Sequence, residues 1–566
     1  MFKSHQQTGA HYKVMKPPPA GLRQVRRHWP LLLAWMLFLA AVALLYRGDV
    51  QANGGHFVYA LDDPYIHLAI ARNFAYHGVW GVNRANFSSC SSSPLWTFAL
   101  AFSDKIAGDQ ELMPLALNIV LALASLLWIY IYFRRREANP ILIFAVLAIV
   151  AFVTPLPALA LVGMEHTLQI LTSIAFVSIA ARALAQSFDE EDNKPPIMPR
   201  DVYVLIALAP LVTSARYEGT FIIAVTALLL LERRRWLHAL SIALAGAAPL
   251  VFYGRLSLNE GSYFLPNSVL LKGPYNMRGD PGHVALYTLA KFIVVPEVPI
   301  LLAIALWLVF KARAGSLRLR QETVYFLIIT VAAGTLHTLL SKTGVFFRYE
   351  AYVVALSVVG LAAACDEGAL KLLAPEPGAR ASLGQAFLGA AALVLCLAPL
   401  SRGAKGLLTA VQASHNIYDQ QYQTARFLNR YYQDKGVALN DIGAPSYFAE
   451  FRLVDVFGLA TIEVARDRHE GRYTTGALRQ ICAKNGARVA IVYDSWFSGG
   501  LSGVPSLPGQ WKKEGQWTIP DNLVCGNKTI SFYGLDPLAA KELRAHILEF
   551  EPILPPDVQR GAGQTP

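Results

Sequence analysis

Long apolar runs recur along this chain and constrain its fold more than any other feature. A helix needs about 20 mostly apolar residues to cross a bilayer core, and runs at or near that length recur up to residue 400. With 54% hydrophobic and 16% charged residues, the chain is too apolar for an ordinary soluble protein. The sequence predicts about eleven spans, at 30–46, 113–133, 140–154, 160–186, 202–215, 219–231, 237–256, 286–310, 322–340, 345–364 and 383–400.

Basic residues between the apolar runs predict the topology. The net charge of +11 would suggest nucleic acid for a soluble chain, but here its distribution follows the positive-inside rule and indicates no nucleic-acid partner. A basic tail over residues 1–29 is placed in the cytoplasm, and no cleavage site follows it, so the first run is an uncleaved span. Four connections then fall on the same side: "RRRE" at 134, "DEEDNKPPIMPR" at 189, "ERRR" at 232 and "KARAGSLRLR" at 311.

Two features complete the predicted membrane part, 30–400. The segment "PLWTFALAFSDKIAG" (94–108) is too short for a span and is interpreted as a helix at the outer interface. Most of the unusual polar segments then face the extracytoplasmic side of the plasma membrane. They are the loop at 47–93, "LVGMEH" at 161, "SARYEG" at 214, "GSYFLPNSVLLKG" at 261, "SKTGVFFRYE" at 341, and everything after about residue 401.

The stretch "LDDPYIHLAIARNF" places two adjacent acids after the first span. Pro64 suits the first turn of a helix, Asp63 is then the natural N-cap, and Gly78 is a plausible C-terminal stop. Asp62 is left uncommitted at the membrane surface. Both acids could be caps or solvated loop charges, but their position beside a membrane makes them candidates for a catalytic site.

Further charged residues lie at the same face. Glu165 is near the outer end of a span. It is either a functional acid or an interfacial residue in contact with water. Arg216 and Glu218 share a tight turn and could act directly or pair to hold that turn. Lys272 and Arg348 could extend to lipid headgroups or hold a phosphate. The Ser-rich segment 88–96 is either an anion-binding loop or a flexible one.

The polar C-terminal region, 413–545, predicts a small extracytoplasmic α/β domain followed by a Pro-rich tail at 546–566. A helix is predicted in 416–436 and another in 474–487, with buried strands in 437–441, 452–459, 488–496 and 528–536. No Gly-rich phosphate loop is present, which argues against a nucleotide site. Tyr447, Trp496 and Phe497 could stack on sugars or fill the domain core. Cys482 and Cys525 share this region and could form a disulfide.

In this order the motifs resemble the glycosyltransferase C superfamily, whose enzymes use polyprenyl-phosphate sugars as donors. The resemblance covers residues 60 to about 355 and rests on "LDDPYIHLAIARNFAYHGVWGVNRANFSSCSSSPLWT", "GMEHTL", "ARYEG", "LPNSVLLK" and "RYEAY". It is strongest to the branch of cell-wall terminal arabinofuranosyltransferases. The later "VALNDIGAPSYFAEFRLVDVFGLAT" is similar to the extracytoplasmic domain of that branch.

The resemblance implies an inverting transfer of a sugar, arabinofuranose or another pentose or hexose, from polyprenyl phosphate to a glycan, lipid or protein. By position, Asp62 would be the base, with Asp63 orienting it or capping the helix. Phosphate ligands would be Arg348 and Lys272, with Arg216 and His67 behind them. The residues expected to support this site are Glu165, Glu218, Asn267 and Tyr65.

Three points stay open from the sequence. Some members of the superfamily bind a divalent cation between acids and phosphate, but no closed ligand set is visible here, so no metal ligand and no certain cofactor are assigned. A lipid-linked sugar transporter or flippase is the alternative function, although no internal repeat supports it. A membrane scaffold for envelope assembly would not depend on the acid pair.

Overall fold

The computed structural model describes residues 20–186, 199–272, 289–372, 383–500 and 503–562. Over these ranges the chain forms a bundle of mostly apolar helices, followed from about residue 423 by a smaller part that contains a mixed sheet. The predicted class, a helical membrane protein with a C-terminal α/β domain, is confirmed at this level.

Within the described ranges, the bundle has fifteen α-helices that we number in chain order. They are α1 (Ala20–Ala52), α2 (Asp63–His77), α3 (Pro94–Ala107), α4 (Met113–Arg135), α5 (Pro140–Val153), α6 (Leu156–Val162), α7 (His166–Ala185), α8 (Pro199–Ala215), α9 (Gly219–Glu232), α10 (Trp236–Asn259), α11 (Asn267–Lys272), α12 (Glu297–Arg313), α13 (Gln321–Leu340), α14 (Ala351–Asp366) and α15 (Leu383–Ile417). Residues 289–294 are also helical.

Six helical segments in the described ranges are long and apolar enough to cross a membrane. They are His28–Ala52, Met113–Arg135, Pro140–Val162, His166–Ala185, Trp236–Asn259 and Gln321–Leu340. Gly219–Glu232 and Ala351–Asp366 are apolar but shorter. The chain is therefore a multi-pass membrane protein, and the five other predicted spans remain predictions.

Local sequence signals set the ends of the helices around the first outer loop. Helix α2 begins at Asp63 with Pro64 in its first turn, and Gly78 ends it in a left-handed conformation with φ +71°. The side chain of Ser93 accepts a hydrogen bond from the backbone N–H of Trp96 and thereby caps α3. The predicted bounds of both helices are confirmed to within about two residues.

The predicted span over 160–186 is wrong at its start. Residues 160–162 belong to α6, and α7 begins only at His166. Gly163 adopts φ +70°, and a Cβ there would lie 2.5 Å from the Tyr59 ring, so only glycine fits this break comfortably. The interruption places Glu165 between two helices, inside the bundle.

The basic connections between spans meet at one end of the bundle. Arg136 donates to the Thr323 hydroxyl over 2.6 Å, and Arg233 contacts the Tyr325 hydroxyl. Thr323 and Tyr325 both lie in the first turn and a half of α13, so the segments that follow α4, α9 and α12 share this end. That clustering agrees with the predicted topology, and the side of the membrane on which it lies stays a prediction.

The C-terminal part is a six-stranded sheet with the strand order β2-β1-β3-β5-β4-β6. The strands are β1 (Gly436–Leu439), β2 (Arg452–Asp455), β3 (Ala487–Val492), β4 (Lys512–Thr518), β5 (Thr529–Gly534) and β6 (Gln559–Ala562); the helices are α16 (Gln423–Tyr431), α17 (Gly443–Phe448), α18 (Ile462–Glu470), α19 (Thr475–Lys484) and α20 (Pro537–Phe550). Strands β2, β1 and β3 are parallel, and the remaining pairings are antiparallel. Apolar clusters pack on both faces.

The sheet extends beyond the elements that the sequence predicted. The four predicted strand segments contain β1, β2, β3 and β5, but β4 was missed because its residues "KKEGQWT" are mostly polar. The predicted tail at 546–566 is corrected in part, since it contains the end of α20 and β6, which pairs with β4. Pairing along an edge strand needs backbone groups rather than an apolar pattern, so no sequence pattern predicted it.

Two cysteines that could have paired do not. Cys482 and Cys525 are both buried and free. Cys482 packs with Val454 and Ala490 in the apolar cluster on one face of the sheet, whereas Cys525 belongs to the cluster that is continuous with the bundle. Separation by the sheet prevents the disulfide that the sequence left open.

Candidate functional site

The two adjacent acids of the opening motif point to different parts of the molecule. Asp62 is buried and accepts two backbone hydrogen bonds from the start of α17: from Gly443 N–H to Oδ2 over 2.6 Å and from Ala444 N–H to Oδ1 over 2.7 Å. Burial and the neighbouring carboxylate of Asp441 raise the pKa of Asp62 well above its ordinary value. Asp62 thus joins the first outer loop to the C-terminal domain.

Asp63 instead pairs with Arg348, which lies in the segment between α13 and α14. Arg348 Nη2 lies 2.6 Å from Asp63 Oδ2 and 3.1 Å from the Tyr349 hydroxyl. Helix α2 begins at Asp63 itself, so the prediction that Asp63 is the N-cap is wrong. The side chain of Asp63 is 23% exposed, which leaves it accessible from the adjoining cavity.

One guanidinium holds two of the predicted supporting acids. Arg216 donates through Nε and Nη2 to the two carboxylate oxygens of Glu218, each over 3.0 Å, and through Nη1 to Glu165. Burial disfavours the charge of Arg216, but the two carboxylates outweigh that effect and raise its pKa, so it stays protonated. The sequence offered either a direct role or a structural pair, and the bidentate geometry shows that the pair forms.

The ring of Tyr349 connects the two arginines. The guanidinium carbons of Arg216 and Arg348 lie 5.0 and 4.8 Å from its centroid, within the range of a cation–π contact. Tyr349 therefore offsets part of the repulsion between two buried positive charges. The three ion pairs, of Arg348 with Asp63 and of Arg216 with Glu165 and with Glu218, form one connected charge network.

The other predicted residues differ in their relation to this network. His67 is buried, with Nδ1 2.6 Å from the Thr97 hydroxyl and Nε2 3.8 Å from Glu165. Tyr65 donates its hydroxyl to Glu111 over 3.0 Å, and Asn267 donates to the carbonyl of Leu459 over 3.0 Å. These last two contacts position the outer loops. The side chain of Lys272 lies outside the described part of the chain.

The serines of the first outer loop bind other parts of the protein. Ser89 lies 2.7 Å from the Ser257 hydroxyl, and Ser92 donates to Glu165 over 3.2 Å. Ser93 caps α3 as described above. The Ser-rich segment is thus ordered by hydrogen bonds between elements, and Ser92 brings it to the charge network.

A cavity of about 380 Å³ adjoins the network, within the roughly 300–1,000 Å³ range of small-molecule sites. Its lining combines polar and apolar side chains. Polar side chains come from Asp63, His67, Ser92, Arg216, Glu218, Lys342 and Tyr349, and apolar ones from Ile66, Met164, Phe221, Leu250, Leu265, Val269 and Leu340. Of the acid pair, Asp63 is the one that lines it.

Lys342 is the cavity residue that sequence reasoning missed. Its segment, "SKTGVFFRYE", is predicted to be an outer loop, but Arg348 and not Lys342 was the phosphate ligand predicted there. Lys342 follows the last residues of α13 and lines the cavity beside Leu340 and Ser341. A lysine directly after an apolar helix end was the available signal, shared with many lysines at membrane surfaces.

The cavity acids do not form a metal-ligand set by themselves. Asp63 pairs with Arg348, and Glu165 and Glu218 pair with Arg216. Within the described residues, the one group of three potential ligands whose atoms converge lies elsewhere. No step that we derive for this cavity passes through a metal ion.

The aromatic residues of the C-terminal domain are mainly packed. Tyr447 is buried and donates its hydroxyl to Asp109 over 2.7 Å. Phe497 belongs to a core cluster of the sheet, and Trp496 packs against Tyr493 with ring centroids 5.3 Å apart. Of the two uses that the sequence allowed, these contacts favour filling the core.

The fold is similar to that of solved membrane proteins. ArnT from Cupriavidus metallidurans, solved bound to undecaprenyl phosphate, aligns with a TM-score of 0.51 at 13% identity, over 89% of this chain and 98% of its own. The chain has a glycosyltransferase C-like fold. At this identity the likeness shows the fold alone.

Two structures of the Archaeoglobus fulgidus oligosaccharyltransferase are also similar. The complex with Zn and sulfate gives a TM-score of 0.48 at 12% identity, over 88% of this chain and 73% of that one. AglB with an inhibitory peptide and a dolichol-phosphate gives 0.45 at 13% identity, over 91% and 75%. Residues 415–533 match the family model "Domain of unknown function (DUF8728)". No curated protein matches this chain.

Proposed function

We propose that this glycosyltransferase C-like protein transfers a sugar from a polyprenyl-phosphate donor to an extracytoplasmic acceptor, with Asp63 as the general base. The observation that carries the proposal is the position of Asp63. Its carboxylate lines a cavity whose walls contain both polar and apolar side chains, and Arg348 holds it at 2.6 Å. Such a cavity suits a sugar phosphate attached to a lipid chain.

The proposed reaction is a single displacement with inversion. Asp63 accepts the proton of an acceptor hydroxyl, whose oxygen bonds to the anomeric carbon while the bond from that carbon to the phosphate oxygen breaks. Polyprenyl phosphate leaves with the bonding electrons. A phosphate is a good leaving group, so a base and nearby positive charge are sufficient, and a strong general acid is not needed.

The residue roles are revised from those predicted by the motif. Asp62 was expected to be the base, but two backbone N–H groups occupy its carboxylate, and we propose that it anchors the C-terminal domain. Among the described residues, Lys342 and Arg216 are the lysine and arginine that line the cavity. We propose Lys342 as the phosphate ligand, with Arg216 held beside it by two carboxylates. His67 and Arg348 support these groups.

Several finer points belong to the same proposal. We propose that the cavity and the C-terminal domain, 413–545 with the added strand β6, face the extracytoplasmic side of the plasma membrane. The donor sugar is a pentose such as arabinofuranose, or a hexose, and the acceptor is a glycan, lipid or protein. The ArnT structure was solved bound to undecaprenyl phosphate, which supports a lipid-phosphate ligand.

The test is donor turnover by purified full-length protein. Polyprenyl-phosphate pentoses and hexoses are supplied with candidate acceptors, and the release of polyprenyl phosphate is measured. We expect one donor to be consumed and Asp63→Asn to reduce its turnover by about 10²–10⁴-fold. Asp366→Asn, at the other end of α14 from the cavity, is the control and should remain active.

Two outcomes would overturn the proposal. Full turnover by a folded Asp63→Asn variant would show that Asp63 is not the general base. Movement of a labelled lipid-linked sugar across a vesicle membrane, with no donor consumed, would instead identify the protein as a flippase.

A further inference from the structure

A second group of ionisable residues lies where the last bundle helix enters the C-terminal domain. His415 is at the end of α15, Asp419 is in the π-helical turn Tyr418–Tyr422, and Asp557 is in the segment between α20 and β6. One ligand atom from each lies within 4.8 Å of the other two. His415 Nε2 is 2.8 Å from Asp557 Oδ2 and 3.3 Å from Asp419 Oδ2.

The buried carboxylate of Asp419 has no donor in the described protein. Its side chain is 0% exposed, and neither of its oxygens receives a hydrogen bond. An ionised carboxylate without donors is expensive to bury, and native proteins rarely leave one in that state. Such a group lies beside a histidine and a second acid, where a bound cation would offset its buried charge.

The tautomer of His415 is set by Asn53, the residue that follows the first helix. His415 Nδ1 lies 3.1 Å from Asn53 Oδ1, while Asn53 Nδ2 donates to Asp49 Oδ1 over 3.0 Å. Because the amide nitrogen of Asn53 is used in this way, its oxygen accepts from Nδ1–H. A cation bound at Nε2 would then have an imidazole whose other nitrogen donates to Asn53, which is the usual arrangement of a metal-bound histidine with its outer partner.

The backbone and the distances also suit a metal ion. His415 and Asp419 are four residues apart and therefore share one helix face, and π-helical turns frequently occur at functional sites. Ligand bonds of about 2.0–2.2 Å place tetrahedral ligand atoms roughly 3.4 Å apart. The two separations from His415 Nε2, 3.3 Å to Asp419 and 2.8 Å to Asp557, differ from that spacing by well under 1 Å, and all three ligand atoms lie within 4.8 Å of one another.

We propose that His415, Asp419 and Asp557 bind a divalent transition-metal cation, zinc or manganese, with water in the remaining positions. One imidazole and two carboxylates match the preferences of these ions. The side chain of Asp557 is exposed, so an ion could reach the site from solvent. The bound cation would tie the end of α15 to the segment before β6, at the junction of the bundle and the C-terminal domain, independently of the glycosyl-transfer cavity.

The test measures metal binding by the full-length protein. After chelation and dialysis, ZnCl₂ and MnCl₂ are titrated in separate calorimetric experiments, with CaCl₂ as a comparison, and the thermal unfolding temperature is recorded with and without each ion. We expect one zinc or manganese ion per chain and a higher unfolding temperature. His415→Gln, Asp419→Asn and Asp557→Asn should each lower the affinity by more than about 100-fold.

Matched variants separate a metal site from a buried ion pair. Asn53→Ala should weaken binding by about 10–100-fold, as the loss of an outer partner does. Glu549→Gln, which alters an exposed pair with Arg430, should bind as the wild type does. The proposal is overturned if the wild type binds neither ion. It also fails if Asp419→Asn and Asp557→Asn bind zinc and manganese like the wild type, since the three residues would then form only a protonated histidine–acid cluster.

Discussion

Gly443 donates its backbone N–H to Asp62 Oδ2 over 2.6 Å, across 381 positions of sequence. The contact is close on the backbone side as well, because a Cβ on Gly443 would lie 2.0 Å from the carbonyl oxygen of Asp62. The first acid of the motif therefore fixes the C-terminal domain against the outer loop, next to the acid that lines the cavity.

Gly443→Ala should loosen this junction. The added methyl group cannot fit without moving Asp62 or α17, and such overpacking typically costs about 1–3 kcal/mol. We expect a lower unfolding temperature and faster hydrogen exchange at residues 60–63. Gly476→Ala is the matched control, because its Cβ would meet only the Thr474 hydroxyl at 3.8 Å. Equal effects of the two changes would contradict the tight contact.

Asp62→Asn should damage the junction more than the chemistry. An amide side chain offers one acceptor oxygen to the two N–H groups of Gly443 and Ala444, so one buried donor loses its partner, at about 1–3 kcal/mol. Thermal unfolding should show this loss, while donor turnover by the folded fraction should fall far less than in Asp63→Asn. A fully folded Asp62→Asn variant with no turnover would indicate that Asp62 is the general base.

Arg216→Lys should destabilise the protein despite keeping the charge. An ammonium cannot reproduce the forked contact with Glu218 while also reaching Glu165, and disrupting a buried pair costs about 3–5 kcal/mol. Chemical denaturation of the two proteins measures the difference. Arg430→Lys affects an exposed pair with Glu549 and should change stability by less than about 1 kcal/mol. Similar losses in both variants would argue against the charge network.

Glu111 should make stability depend on pH near neutrality. Burial raises its pKa from 4.5 to about 7, so the folded protein keeps a proton that the unfolded chain releases near pH 4.5. The resulting stabilisation is full below about pH 4.5 and is lost as the pH rises towards 7, by about 3 kcal/mol in total. Unfolding temperatures between pH 4 and 8 should show this slope.

Glu111→Gln removes the titration while keeping an acceptor for the Tyr65 hydroxyl. Its unfolding temperature should therefore fall less between pH 4.5 and 7 than that of the wild type. Glu463→Gln, an exposed change on α18, provides the control and should leave the slope unaltered. Parallel curves for wild type and Glu111→Gln would show that Glu111 does not gain a proton on folding.

Much of the architecture follows from patterns within short stretches of sequence. Apolar runs indicated a multi-pass bundle, the Pro64 and Gly78 signals bounded α2, and short apolar stretches located four of the strands. These patterns work because hydrophobic length, helix ends and strand burial depend mostly on neighbours along the chain. The order of the polar motifs also indicated a glycosyltransferase C-like fold.

Only the tertiary structure decided how those motifs are used. The break at Gly163 needs the Tyr59 ring beside it, and β6 needs β4 as a partner. Which member of the acid pair faces the cavity depends on two groups from distant segments, the N–H of Gly443 and the guanidinium of Arg348. Sequence alone determined the membrane class and the candidate acids, because both follow from local composition. Packing between segments hundreds of residues apart assigned each acid its partner, because ion pairs and hydrogen bonds form between neighbours in space.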